Sequence, residues 1–262
     1  MKIPRALTVA GSDSGGGAGV QADLKTFTAM SVFGSSVITA LTAQNSYEVR
    51  GIWEVSPDFV KLQMDAVLQD IGCDAAKTGM LYSAEIVRTV HKEFTEFPVP
   101  YVVDPVMISK SGKRLLLLEA IEEMKSGLLS DACLITPNIP EAEELSGIRI
   151  TEESEIDAVA EKLAGEFGCA VLLKGGHSGG KESVDMLRMG NISKRYSSPR
   201  FITDNTHGTG DTLSAAITAG LAKGVNLVDS IEHAKEFIEG AIKNSFPAGK
   251  GFGSLNHFWQ HY

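Results

Sequence analysis

The residues best placed to do chemistry lie in one short stretch, Asn205-Thr206-His207-Gly208-Thr209-Gly210-Asp211-Thr212. It begins as a glycine-bearing turn and continues with apolar or small residues at helical spacing: Leu213, Ile217, Gly220 and Leu221. Gly208 and Gly210 allow backbone angles closed to other residues and let a ligand approach closely. The first amides of a helix have no partner within it and carry partial positive charge. Such a turn suits a phosphate, or the charge that builds on a phosphoryl group in flight. Asp211 breaks the pattern, because it is an anion where an anion would be received. It could take a proton from a hydroxyl that attacks phosphorus, or it could merely complement the helix dipole.

Three further positions carry chemistry of a compatible kind. Lys174 ends an apolar run and could neutralise a polyphosphate, or be a solvated lysine at a strand end. Asp104 closes another apolar run, and Asn138 and Glu141 stand three apart just past a third. Oxygen donors of this sort suit magnesium, which keeps several waters and bridges to substrate phosphates. Glu141 is equally explained as an acidic residue in the first turn of a helix that continues through Ala142-Glu143-Glu144-Leu145. Phosphoryl transfer to a small hydroxyl is the one reaction that uses all of these groups.

Two glycine-rich alternatives fail on their flanks. Gly17-Ala18-Gly19-Val20-Gln21-Ala22 fits a loose dinucleotide fingerprint, which needs an acidic residue about 20 positions on to hold a ribose. No Asp or Glu occurs between Asp23 and Glu48. The run from Gly175 to Lys181 opens like a nucleotide-binding P-loop, but Glu182 stands where Ser or Thr should meet magnesium. The residues that follow also pattern as a strand and not a helix.

The elements that must hold these residues alternate regularly. Strands are expected at 6–10, 37–41, 75–81, 100–107, 132–136 and 170–174. Helices are expected at 20–30, 57–71, 84–94, 116–129, 154–167 and 229–246, with a hairpin over 183–195. In the helix over 57–71 the apolar side would be Phe59, Leu62, Val67, Leu68 and Ile71. This rhythm predicts a single α/β domain over residues 1–262 with a mostly parallel central sheet. In such sheets ligands bind beyond the carboxyl ends of the strands. Gly11, Gln44, Met80, Asp104, Asn138, Lys174 and Asp204 all fall at or just after such ends, so they could line one crevice. Candidate lids are the loop over 109–115 and the hairpin tip over 189–195.

Totals exclude several classes. Hydrophobic residues at 43% and charged residues at 22% fit a globular protein, and a net charge of −9 gives no electrostatic reason to expect nucleic acid or an anionic membrane. There is no run long enough to span a bilayer and no leader pattern at Met1. The three widely spaced cysteines, Cys73, Cys133 and Cys169, read as reduced core thiols of a cytoplasmic protein.

Taken together and in order, the motifs resemble the hydroxymethylpyrimidine/phosphomethylpyrimidine kinases of thiamine biosynthesis, within the ribokinase-like superfamily. The resemblance covers nearly the whole chain. It rests on Ala10-Gly11-Ser12-Asp13 through Thr26, Thr39 to Asn45, Lys77-Thr78-Gly79-Met80-Leu81, Asp104-Pro105-Val106-Met107, Thr136 to Ala142, Leu173 to His177, and Asn205 to Gly210. It implies a three-layer α/β/α fold and a kinase that uses ATP and magnesium on the hydroxymethyl group of a pyrimidine, commonly adding a second phosphate as well. By position it implies that Gln44 reads the pyrimidine while Gly11, Asp23 and Met80 line its pocket. It assigns Asn138, Lys174 and Thr206 to the nucleotide, Asp104 and Glu141 to magnesium, and Gly208, Thr209 and Gly210 to the anion hole. A homodimer is expected by family analogy alone. One position departs: the pyrimidine kinases usually carry Cys after the Gly-Thr-Gly turn, whereas the wider superfamily, like this chain, has Asp. That leaves a pyridoxine or pyridoxal kinase as the alternative, and a non-catalytic vitamin- or nucleotide-binding protein as a third reading.

Overall fold

Burial dictates the layering. Along the first strand, β1 (Arg5–Asp13), Leu7 and Val9 point to one face of the sheet and Ala6 to the other, and all three are fully buried. A strand apolar on both faces must be covered on both, which is the signature of a parallel sheet between two helical layers. The computed structural model describes residues 2–109, 112, 114–175 and 182–261 and has this architecture.

In chain order, α1 (Gly19–Ala29), β2 (Phe33–Gln44) and β3 (Val49–Glu54) follow β1. Next come α2 (Pro57–Ala66), β4 (Ala75–Thr78), α3 (Ala84–Glu96) and β5 (Tyr101–Val103). The middle of the chain supplies α4 (Leu118–Glu123), β6 (Leu134–Ile135), α5 (Ile139–Ser146), α6 (Ile156–Phe167) and β7 (Ala170–Lys174). The hairpin β8 (Glu182–Met189) and β9 (Ile192–Pro199) leads to the final helices, α7 (Thr209–Ala222) and α8 (Leu227–Lys243). The strands form one sheet in the order β3-β2-β1-β4-β5-β6-β7-β8-β9. The six from β2 to β7 are parallel, and β3, β8 and β9 are added antiparallel at the edges.

One helical layer buries Val60, Met64, Val87, Leu145 and Leu163 against the sheet. On the opposite face Phe27 of α1, Leu213 and Ile217 of α7 and Phe237 of α8 cover Ala6, Val102, Leu134 and Leu172. Helix α7 is buried on nearly every side and, apart from Asp211, Leu213, Ile217 and Leu221, is built of Ala, Gly, Ser and Thr. Gly220 has no room for a side chain, because a Cβ would stand 2.6 Å from Ser230 Oγ. These small residues let α7 lie close on β1, β4 and β5, and that seats its N-terminus at the carboxyl edge of the sheet.

Two expectations change. In α2 the core side is Val60 and Met64, while Phe59 and Leu62 are exposed. The polar Gln63 accounts for part of the rotation: its amide bonds both the N–H and the carbonyl of Ile38, groups on β2 beyond the reach of β3. The helix then finishes as a π-helical turn over Val67–Ile71. The tip of the β8–β9 hairpin is also misplaced as a lid. β8 runs back along β7, pairing Lys174 with Asp185 and Val171 with Arg188, so the tip lies at the end of the sheet remote from Lys174. Part of the other candidate lid, at 110, 111 and 113, and the loop at 176–181 lie outside the described residues. The three cysteines are free; Cys169 is buried and the other two half-buried. Among the described residues no helix is long and apolar enough to cross a membrane.

Candidate active site

The carboxyl ends of the parallel strands open into a cleft of about 830 Å³. Gly11, Gln44, Met80, Asn138, Glu141, Thr206, Gly208, Thr209, Gly210 and Asp211 all border it. An adjoining pocket of about 230 Å³ shares Asn138, Phe201, Thr209 and Gly210 and adds Lys174 and the apolar surfaces of Leu213 and Ile238.

The turn before α7 is held by steric necessity. Gly208 has φ +80°, and a Cβ there would collide with the carbonyl of Gly17. Thr209 Oγ1 donates to the Thr206 carbonyl at 2.8 Å and closes the turn. The residues that open α7 therefore border the cleft, with Asp211 among them, its side chain 16% exposed. Burial pushes the Asp211 carboxyl above the usual carboxylate range; Lys77 draws it back, Asp104 adds to the rise, and His207 and Lys174 oppose it. An upward shift suits a group that must accept a proton near neutrality.

Lys174 reaches the same floor from the end of β7. Its Nζ donates to Asp104 Oδ1 at 2.8 Å, and a Cβ on Gly210 would lie 3.3 Å from that nitrogen. Asp104 itself is almost fully buried and also accepts from Thr136 Oγ1 at 3.1 Å and from Ser214 Oγ at 3.5 Å. Burial would raise the Asp104 carboxyl, but Lys174 and Lys77 hold it low, so it is a fixed anion.

This corrects one expectation: Asp104 Oδ1 is engaged by Lys174 and Thr136, and Asp104 does not line the cleft as Glu141 does, so it is not placed to meet a metal there. Glu141 fits better. It caps α5 reciprocally with Asn138, whose N–H donates to Glu141 Oε2 at 2.8 Å while Asn138 Oδ1 accepts from the Glu141 N–H at 2.9 Å. The helix-terminus reading of Glu141 is thus correct as far as it goes. Burial nevertheless pushes its carboxyl up to about 7 against the pull of Lys174, and a cation in the cleft would relieve that. Among the described residues no three His, Cys, Asp or Glu side chains are grouped to hold a metal. The donor set therefore fits a hydrated magnesium that depends on phosphate oxygens for part of its shell.

At the other end of the cleft the glycine-rich loop after β1 is not a phosphate cradle. Its amides are taken by Asp13, which accepts from Gly15 at 2.8 Å, Gly17 at 3.0 Å and Ala18 at 2.9 Å. Although burial opposes it, His207 and these amides hold the Asp13 carboxyl below its usual value. An ionised carboxylate only accepts, so His207 Nε2, 2.9 Å from Asp13 Oδ2, carries the proton. The Gln44 amide also meets that ring nitrogen, at 3.2 Å. It must turn its oxygen to the imidazole, and its NH₂ then falls to Thr42 Oγ1, whose own proton goes to the Ser12 carbonyl at 2.9 Å. Asp13 and His207 thereby orient Gln44 toward the cleft.

Asp23 is the second correction. It does not border the cleft; it is fully buried beneath it, paired with Lys77 at 2.7 Å. The reason is topological, since its turn of α1 packs down onto β1 and β4 and not toward the strand ends. Sequence reasoning assigned no role to Asp13, His207 or Lys77. Asp13 could have been found, because an Asp opening a glycine run commonly caps its own loop. Lys77 in the short strand Ala75-Ala76-Lys77-Thr78 was also a visible anomaly.

A profile of the phosphomethylpyrimidine kinase family matches residues 13–256. The chain belongs to that family. It is 45% identical to the hydroxymethylpyrimidine/phosphomethylpyrimidine kinase of Streptomyces coelicolor, over 98% of this chain and 95% of that one. It is 49% identical over 96% of its length to the thiamine biosynthesis bifunctional protein ThiED of Geobacter sulfurreducens, and spans about half (51%) of that relative. Among solved structures, it superposes on an ADP complex of Bacillus subtilis pyridoxal kinase with a TM-score of 0.92 at 36% identity, covering 99% of each chain. Phosphomethylpyrimidine kinases and pyridoxal kinases thus share this framework, and the ribokinase-like expectation for the fold holds.

Proposed function

We propose that the protein is an ATP-dependent kinase that phosphorylates the hydroxymethyl group of 4-amino-5-hydroxymethyl-2-methylpyrimidine and then the resulting monophosphate, serving thiamine biosynthesis. The observation that carries this reading is the placement of the Asp211 carboxylate beside the amides that open α7, within one cleft with Gln44.

Gln44, oriented by His207 and Asp13, offers a donor and an acceptor together, which matches the amino group and adjacent ring nitrogen of an aminopyrimidine. Asp211 takes the proton of the hydroxymethyl group as its oxygen attacks phosphorus. The amides of Gly208, Thr209 and Gly210 and the Lys174 ammonium stabilise the charge on the phosphoryl group in flight. Lys174 stays protonated: burial disfavours its charge, but Asp104 and Glu141 hold its pKa above the ordinary value. Phe201, Leu213 and Ile238 give the adjoining pocket an apolar wall suited to a nucleoside base. Glu141 and Asn138 would hold a hydrated magnesium, which supplies charge neutralisation on the nucleotide phosphates.

A second reading, a pyridoxal kinase, is favoured by the extent of the likeness to the Bacillus subtilis structure. The test is an ATP-coupled assay that measures kcat/KM for hydroxymethylpyrimidine and for pyridoxal with the same protein. A clear preference for the pyrimidine is expected, and a strong preference for pyridoxal would overturn the assignment.

A further inference from the structure

Beneath the cleft lies a charged group that the chemistry above does not use. Lys77 and Asp23 are both fully buried, and Lys77 Nζ lies 2.7 Å from Asp23 Oδ1. Three elements build the pair. Thr8 of β1 and Lys77 of β4 are register partners on one face of the sheet, and Asp23 descends on them from α1. Thr8 Oγ1 occupies the second carboxylate oxygen at 2.6 Å. Asp23 is therefore satisfied, but Lys77 has donors to spare. The next group in its direction is Asp211 Oδ1, at 3.9 Å, too far for a hydrogen bond but close for charge interaction. Gly79 borders the gap between them: a Cβ there would be in ordinary contact with both, 3.8 Å from Lys77 Nζ and 3.9 Å from Asp211 Oδ1.

Removing two charges from water is costly, and apolar residues of similar volume commonly serve stability as well or better. A fully buried pair aimed at the reactive carboxylate therefore calls for a role beyond packing. We infer that Lys77 and Asp23 are positioning residues for phosphoryl transfer: Lys77 holds Asp211 in place and anionic from below, and Asp23 sets how much of that positive charge Asp211 receives. This rests on Asp211 being the base. In the reaction the acceptor O–H bond breaks and its proton passes to Asp211, while its oxygen forms the new O–P bond. The bond from the transferred phosphorus to the leaving nucleoside diphosphate breaks, and the leaving oxygen keeps the electron pair. Lys77 loses nothing; its fixed charge stands under a carboxylate that is anionic before the step and neutral after it.

Other charges face the same point. Asp104 and Lys174 flank Asp211 on the β5 and β7 side, and His207 faces it from the turn before α7; Asp23, Asp211 and Asp104 all act on Lys77. Lys174 would remain in a Lys77 variant, so the carboxylate loses one of its two lysine neighbours and not both.

The test is the pH dependence of kcat at saturating MgATP and hydroxymethylpyrimidine in full-length Lys77→Met, Asp23→Asn and Asp211→Asn proteins. In Lys77→Met the acid limb should move up by roughly one to three pH units. Turnover should then fall most on the acid side and recover as pH rises past the displaced limb, with KM for ATP little changed. In Asp23→Asn the limb should move the other way, because Lys77 is then shared less. A merely structural role would lower kcat at every pH and leave the limb in place, and that result would overturn the inference. Should Lys77→Met fail to fold, the near-isosteric Asp23→Asn decides alone: a downward shift supports the pair, and a fixed or upward limb refutes it. Asp211→Asn separates the two levels. If it keeps turnover, the base assignment fails; if it loses turnover while the limb ignores Lys77 and Asp23, only the positioning role fails.

Discussion

Replacing Gly208 by alanine should separate the turn's mechanical role from its chemical one. Gly208 sits at φ +80°, a left-handed conformation that raises the energy of an L-residue by about 1–2 kcal/mol. Its Cβ would also strike the Gly17 carbonyl and stand 3.3 Å from Ala18 Cα, so the loop wrapped around Asp13 must move away. Overpacking of this kind adds about 1–3 kcal/mol. The sum is about 2–5 kcal/mol, and at about 2 °C per kcal/mol for a chain of this size the melting temperature should fall by about 4–10 °C. The amides that face the phosphoryl group shift with the turn. Loss of one such donor typically costs about 10²–10³ in kcat. Gly190 is the control. It has φ +55° in the β8–β9 turn, and nothing lies within 4 Å of its missing side chain. Gly190→Ala should therefore carry only the conformational strain, about 1–2 kcal/mol, and leave kcat unchanged. Scanning calorimetry and the coupled assay on both variants measure the two effects. A Gly208→Ala enzyme with kcat within about twofold of wild type would refute the anion-hole geometry. Equal loss of activity in Gly190→Ala would show that the effect is not local.

Two other perturbations act through titration. Glu141 has a folded-state pKa raised by burial to about 7, so between about 4.5 and 7 the native protein binds the proton more tightly than the unfolded chain, and stability falls as pH rises through that window. Glu141→Gln should flatten this slope, raise the melting temperature at pH 8, and lower kcat because the cation loses its carboxylate; a variant that is less stable at pH 8 would contradict the burial argument. His257 is the opposite case. Burial lowers its pKa to about 4, and its Nε2 lies 3.0 Å from Thr212 Oγ1 in the first turns of α7. The unfolded chain then binds more protons between pH 6.5 and 4, so stability drops by up to about 3 kcal/mol as pH falls through that range. His257→Gln should remove that part of the acid sensitivity in urea titrations at pH 7, 5.5 and 4.5, and an unchanged profile would show that His257 does not titrate as described.

The layered fold was legible because strands such as Leu172-Leu173 and Val102-Val103 are apolar on both faces, and because glycine and proline punctuate the alternation. Elements set by tertiary contacts were less so. Nothing in the periodicity of α2 distinguishes Phe59 and Leu62 from Val60 and Met64 until the edge of β2 claims Gln63. At the site, the crevice rule gathered Gly11, Gln44, Met80 and Asn138 from distant segments, since all were expected at or just after strand ends; Asp204, gathered by the same rule, does not line the cleft. Asp23, which the family resemblance put beside a ligand, is found beneath the floor beside Lys77, a depth that sequence position does not reveal. Nor could it show that Asp104 is already neutralised by Lys174, because that pairing joins residues 70 positions apart. The His207–Gln44 contact, across 163 positions, was hidden for the same reason.

The claim on which all the rest depends is that Asp211 is the base. The direct measurement is kcat for hydroxymethylpyrimidine together with the Kd for ATP in purified Asp211→Asn, a substitution that keeps the size of the side chain and removes its ability to accept the proton. Nucleotide affinity should stay within about threefold of wild type while kcat falls by about 10²–10⁴. Turnover within about threefold of wild type, with ATP bound normally, would contradict the account.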